Sequence, residues 1–243
     1  MEIANNEENG KVLRKRCMRK ALELTPDDLD LQLDLILLDM ESIKDADKIL
    51  ARIEEVEKKA EEELTKGNYW EDKGDFWLVL ETRPYMRLLK TKLDIYELQI
   101  GKGLEIVELC NKMLDLNTRD NQGVRYSLMS AYAAMGDLEG ALKLCERYTE
   151  KSAMFLFPLS YLYFSVGKKT EARDYLKQLA KKNPYMLDLY LKGFDYMVDS
   201  DEPGMYYPGG EAEALIILNE NTYVYFNKDF ERFVKQFNSK RSL

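Results

Sequence analysis

The chain has 243 residues, 45% of them hydrophobic and 33% charged, with a net charge of −8 and no histidine. That balance belongs to a globular protein with a sizeable core, and the missing histidine excludes Ser-His-Asp and Cys-His nucleophile systems, histidine general bases and histidine-ligated zinc. The acid is concentrated, since residues 27–82 hold 18 acidic and 7 basic side chains, and a surface of that sign repels phosphate backbones and argues against nucleic-acid binding.

No run reaches the roughly 18 apolar residues of a membrane span, and residues 1–9 have neither the basic nor the apolar region of a signal peptide. The expectation is a cytoplasmic protein that engages no membrane, with residues 1–9 a disordered leader. Cys17, Cys110 and Cys145 are odd in number and widely spaced, without a Cys-x2-Cys pair. They read as free thiols, with Cys110 and Cys145 at buried apolar positions.

Residues 11–24 read as a helix, with Val12, Leu13, Cys17, Ala21 and Leu24 on one face. Pro26 ends it, because proline cannot continue a helix, and a leucine-dense helix follows over residues 29–43. The spacing of Ile49, Ile53, Val56, Ala60 and Leu64 predicts an amphipathic helix over residues 45–64. Residues 10–66 are thus expected to form N-terminal helical repeats. Residues 67–83 read as an aromatic and acidic loop anchored by Trp70, Phe76 and Trp77.

From Pro84 the pattern becomes regular. Gly101, Gly136 and Gly167 each end a first helix and are separated by 35 and 31 residues, as are Ile106, Ala141 and Ala172 at the tight contact of the second helix. Asn117 and Asn183 hold equivalent turn positions. A further helix is expected over residues 184–198, then an inserted loop over residues 199–210, a helix over residues 211–221 and a capping helix over residues 222–237.

The stretches Leu128-Met129-x2-Tyr132-x3-Gly136-x4-Ala141-x3-Cys145 and Leu159-Ser160-x2-Tyr163-x3-Gly167-x4-Ala172-x3-Leu176 share one internal spacing. They resemble tetratricopeptide repeats, whose period is roughly 34 residues. The segments Glu81-Thr82-Arg83-Pro84-Tyr85-Met86-Arg87 and Asp120-Asn121-Gln122-Gly123-Val124-Arg125-Tyr126, followed by Asn183-Pro184 and Gly209-Gly210-Glu211-Ala212-Glu213-Ala214, are similar to those of bacterial tetratricopeptide-like proteins. The arrangement is also similar to that of the eukaryotic suppressor-of-tumorigenicity repeat family. The resemblance spans roughly residues 76–226 and brings no established activity with it. It implies an all-α fold, a right-handed α-α superhelix of about five to six helix pairs closed by a C-terminal capping helix, with residues 84–243 forming the repeats.

First helices line the concave surface of such solenoids, so Arg83, Arg87, Asn121, Gln122, Arg125 and Tyr126 are the candidate groove residues. Phe157, Tyr161 and Tyr185 would extend the same surface. Arginines make forked hydrogen bonds to carboxylates, and amides bond an extended backbone, which suits a peptide or acidic motif. The same residue types also cap helix starts and pair with Glu81 or Asp120 to hold one repeat on the next.

The expected function is an intracellular scaffold or adaptor for a protein or peptide, without a cofactor or metal. One alternative is a structural or self-associating subunit of a larger assembly, built on the leucine-rich helices between residues 29 and 64. Another is an enzyme using Glu81, Asp120 and Asp195 with a bound metal.

Overall fold

The computed structural model describes the backbone of residues 2–199 and 205–241 and the side chains of residues 10–197 and 205–240. The described residues form thirteen α-helices and three short 3-10 turns, and no β-strand. None of these helices is long and apolar enough to cross a membrane. The chain divides into two compact units, Met1–Val124 and Arg125–Leu243.

The first unit comprises α1 (Glu2–Leu24), α2 (Leu29–Leu37), α3 (Ala46–Lys66), α4 (Arg83–Glu97) and α5 (Gly103–Leu116). The leader expected to be disordered is therefore helical from Glu2. No proline interrupts it, and extending a helix costs far less than nucleating one. The leucine-dense helix α2 stops at Leu37, short of residue 43, where Asp39 turns to bond Lys15 of α1 and Arg52 of α3. Before α3, the Asp45 carboxylate accepts from the N–H groups of Glu41 and Ser42 at 3.1 and 3.0 Å, satisfying donors that a helix start leaves free.

Helices α2 and α3 pack on each other and on α4, and α4 packs on α5. Ile49, Ile53, Leu88, Leu89 and Leu93 are fully buried, each worth about 2 kcal/mol of apolar transfer. In the segment 67–83, Trp70 lies 5.4 Å from Phe76 and 6.1 Å from Tyr85, ring to ring. The Thr82 hydroxyl donates to the Phe76 carbonyl, and the N–H groups of Gly74 and Phe76 donate to the Leu116 carbonyl at 3.1 and 3.0 Å. The loop is thereby held against the end of α5.

The second unit contains α6 (Val124–Met135), which begins on the boundary, then α7 (Leu138–Arg147), α8 (Ala153–Ser165), α9 (Lys169–Lys182), α10 (Met186–Lys192), α11 (Phe194–Asp199), α12 (Glu211–Glu220) and α13 (Lys228–Arg241). The hairpins α6–α7 and α8–α9 turn in the same way. Gly136 (φ 75°) and Gly167 (φ 83°) follow the first helix of each. Asp137 N–H donates to Tyr132 at 2.9 Å and Lys168 N–H to Tyr163 at 2.8 Å, while the glycine N–H groups donate to Ala133 and Phe164 at 3.3 and 3.0 Å. Both turns are Schellman motifs, which need the positive φ that glycine supplies without strain. Gly101 also has positive φ, but α4 ends earlier, at Glu97, and Gln99 N–H closes on Tyr96 at 3.0 Å. Glycines at corresponding positions thus cover two different turns.

Helix α8 reads Ala-Met-Phe-Leu-Phe-Pro-Leu-Ser-Tyr-Leu-Tyr-Phe-Ser, apolar on every side. Such a helix is stable only when covered all round, and α7, α9, α12 and α13 all pack against it. The helix expected over 184–198 is broken at Gly193 (φ 97°) into α10 and α11. Within the expected insertion 199–210, residues 200–204 lie outside the described residues. The expected capping helix opens as a 3-10 turn, Thr222–Phe226, and α13 starts beyond Asn227, whose carbonyl oxygen Oδ1 accepts from Phe230 N–H at 3.1 Å.

Asn183, fully buried at the end of α9, donates to the Gly210 carbonyl and to Glu213 Oε2, both at 2.9 Å, and accepts from Tyr185 N–H at 3.0 Å. Asn183→Leu would leave the Gly210 carbonyl without its donor and the buried Glu213 carboxylate held only by Gly209 N–H at 2.8 Å and Tyr206 OH at 3.4 Å, and urea denaturation is expected to show a loss of about 1–2 kcal/mol. In the first unit, hydrogen bonds from Lys15 and then Arg52 lower the Asp39 carboxyl from 3.8 to about 2. A carboxyl depressed on folding stabilises the fold above its unfolded value and loses that contribution as pH falls toward its folded one. Denaturation midpoints of the wild type should therefore fall between about pH 4 and pH 2 more steeply than those of Asp39→Asn.

Candidate functional site

The arginines expected in a groove are engaged by the chain itself. Arg83 Nε donates to the Trp77 carbonyl at 2.7 Å. Arg87 forks onto Asp30 of α2, with Nε to Oδ1 at 2.7 Å and Nη2 to Oδ2, and that hydrogen bond holds its guanidinium above its ordinary pKa. Gln122 Nε2 donates to the Met86 carbonyl at 3.1 Å, and Asn121 is exposed.

In the second unit Arg125 Nε donates to Glu150 Oε2 at 2.9 Å, with its guanidinium 4.3 Å from the centre of the Tyr126 ring. Tyr126 in turn meets Phe155 edge-on at 5.9 Å. Phe157 is fully buried between Tyr190 and Phe230 and offers a ligand no surface. Tyr161 sits edge-on to Tyr223 at 5.2 Å and to Phe230 at 5.1 Å. Tyr185 remains 43% exposed at the start of α10. The chain's own C-terminal aromatics therefore occupy the side of α8 on which a ligand was expected.

One cluster of ionisable groups lies where α3, α4 and α5 meet. Glu57, a buried carboxylate, accepts from Lys92 and Lys112, each at 2.8 Å. Lys112 also reaches Glu61 at 2.9 Å, and Tyr85 OH donates to Glu61 at 2.6 Å. Burial by itself would lower both lysines, yet the hydrogen bonds to Glu57 leave each raised. Burial first, then the bond to Glu61, pushes the Tyr85 hydroxyl far up. Burial would raise Glu61, but its bonds from Lys112 and Tyr85 leave it lowered. All four shifts move away from neutrality, so these groups are fixed as two ammonium ions, a phenol and a carboxylate. They hold three helices together and are ill-suited to exchange protons near pH 7.

Two of the open grooves combine an apolar floor with a charged rim, one in each unit. The first, 1110 Å³, runs between the α1–α2 turn, α3 and the start of α4. Leu29, Val56, Ala60, Leu64 and Pro84 form its apolar part, and Asp27, Glu62 and Glu81 line it together with one lysine, Lys59, besides Lys66. Asp28, also on the rim, caps α2 by accepting from Leu31 N–H at 3.0 Å. Glu63 pairs with Lys66 at 2.6 Å.

The second groove, 550 Å³, lies between α9 and α13, with Ala180, Phe233 and Phe237 beneath a rim of Arg173, Lys177, Lys181 and Lys240. Among the described residues no carboxylate lines it. The sequence carried the signal for this second groove as cations recurring every fourth residue along α9 and phenylalanines four apart on α13.

Among the described residues no group of three or more Cys, Asp or Glu side chains is placed to hold a metal ion. Asp120 instead accepts from Val124 N–H at 2.7 Å. Of the cysteines, Cys110 is buried, Cys145 half-buried and Cys17 exposed. Comparison of the chain with family models, curated proteins and solved structures finds no match. Glu57→Gln would remove the carboxylate that Lys92 and Lys112 share, leaving Lys112 on Glu61 at 2.9 Å and Lys92 on the more exposed Glu54 at 3.3 Å, and thermal unfolding should register a loss of about 1–2 kcal/mol.

Proposed function

We propose that the chain is a non-enzymatic helical-repeat scaffold, tetratricopeptide-like and superhelical, that binds a protein or peptide partner inside the cell. The repeated Schellman turns of α6–α7 and α8–α9 support the repeat reading. The ionised cluster around Glu57 supports a structural rather than a catalytic use of the buried charges. Because α8 is covered by α12 and α13, the expected first-helix surface is a poorer docking place than the grooves.

The carboxylate-rimmed groove of the first unit carries the reading. Its apolar floor accepts aliphatic side chains, and Asp27, Glu62 and Glu81 attract a partner's lysines or arginines, which adds specificity and speeds encounter. The preferred partner is thus a basic, leucine-bearing segment and not the acidic motif suggested by the arginines, since Asp30 and Glu150 already answer the charges of Arg87 and Arg125. The alternative of a self-associating subunit draws on Val12, Leu13 and Leu24 of α1, all more than half exposed. Light scattering at rising concentration separates it from a monomeric scaffold.

A labelled peptide rich in lysine and leucine should bind the whole protein in fluorescence anisotropy. The double variant Glu62→Lys, Glu81→Lys should weaken it at least about tenfold, ~1.4 kcal/mol, with helicity unchanged. Equal affinity in the two proteins would remove this groove from the assignment.

A further inference from the structure

We propose that the groove between α9 and α13 is a second docking site, one that takes an acidic amphipathic α-helix of a partner protein. It lies in the other unit from the carboxylate-rimmed groove and stands or falls independently of it. Along α9, Lys169, Arg173, Lys177 and Lys181 recur every fourth residue, and all four are exposed. With a rise of about 1.5 Å per residue they follow one another about 6 Å apart along the axis, each about 40° further round the helix, so that Arg173, Lys177 and Lys181 line the groove and Lys169 lines the recess beside it.

Across the groove, α13 supplies Phe233 and Phe237 to the floor, and Lys240 closes the far rim. Arg173 rests 5.2 Å from the centre of the Phe233 ring. Lys177 bonds Asp174 at 3.0 Å, an exposed pair within one helix that contributes little and is easily exchanged for a ligand carboxylate. An adjoining recess shares Arg173, Phe233 and Gln236 and continues the surface to Lys169 and Phe164, with Asp229 on its far side bonded by Arg232.

The form of the ligand follows from what the groove lacks. An extended peptide laid on Phe233 and Phe237 would need partners for its backbone N–H and C=O groups, and the only uncharged polar side chain lining the groove is Gln236. A helix satisfies its own backbone and can press an apolar stripe onto such a floor. Its carboxylates, one per turn, repeat at nearly the interval of the α9 cations, so several charge-assisted pairs form in register. A single anionic headgroup would meet one or two of these cations and leave the rest unanswered.

The test uses the whole protein and two labelled peptides as long as α9. In one, glutamate and leucine recur at helical spacing, and the other has the same composition with a central residue replaced by proline. The acidic helical peptide should bind in fluorescence anisotropy, lose affinity as salt is raised, and bind at least about tenfold more weakly to Lys177→Glu, Lys181→Glu. The proline peptide should bind no better than that variant does.

Phe237→Ser, which keeps every charge, should weaken binding as well and provides the check if charge reversal perturbs α9. The lysine-rich peptide of the preceding section should be unaffected by these variants, so failure of one site is distinguishable from failure of the other. Unchanged affinity in both groove variants, equal binding of the proline peptide, or retention of the protein by phosphatidylglycerol vesicles through these lysines without peptide binding would overturn the proposal.

Discussion

The second unit is organised by one helix that tolerates no exposed side. Helix α8 is apolar around its whole circumference, so it must be enclosed, and the hairpin partner α9 can cover only part of it. The remainder is closed by α7, α12 and α13. Phe157, Tyr161 and Phe164 accordingly form a continuous aromatic core with Tyr190, Tyr223, Phe230 and Phe233. Burying that surface contributes far more than any surface ion pair, so the chain's own C-terminal helices take the position that a ligand would otherwise occupy.

Enclosing α8 also decides where open surface remains. Once α13 lies beside α9, the two helices leave between them a trough whose floor is apolar and whose rim is cationic. In the first unit the corresponding balance is struck by charge. The buried Glu57 draws Lys92 and Lys112 inward and locks three helices together, while the acids at the α1–α2 turn and the end of α3 are left facing solvent around a larger groove. These two grooves thus carry rims of opposite sign.

Much of the fold was legible in the residues. The stripe Ile49, Ile53, Leu64 marks α3, Pro84 marks the start of α4 within a residue, and the pairing of Gly136 with Gly167 marks two turns of the same hydrogen-bond pattern. What escaped were the bounds of several elements. Asp39 ends α2 by reaching α1 and α3 at once, Gly193 splits a continuous helical pattern, and Glu2–Gly10 is helical although its composition is polar.

The candidate surface was less legible than the fold. Arg87 and Arg125 are chemically suited to a carboxylate ligand, and nothing in their local sequence points to Asp30, 57 residues away, or Glu150, 25 residues away. Residue type and spacing alone determined that the chain is helical and that at least two hairpins repeat one turn, because those features depend on contacts within a few residues. They also put a cation at every fourth residue along α9. Only the tertiary structure decided which charges are answered internally and which stay open, because a side chain's partner depends on how helices distant in sequence pack, and that packing follows from covering apolar faces such as that of α8.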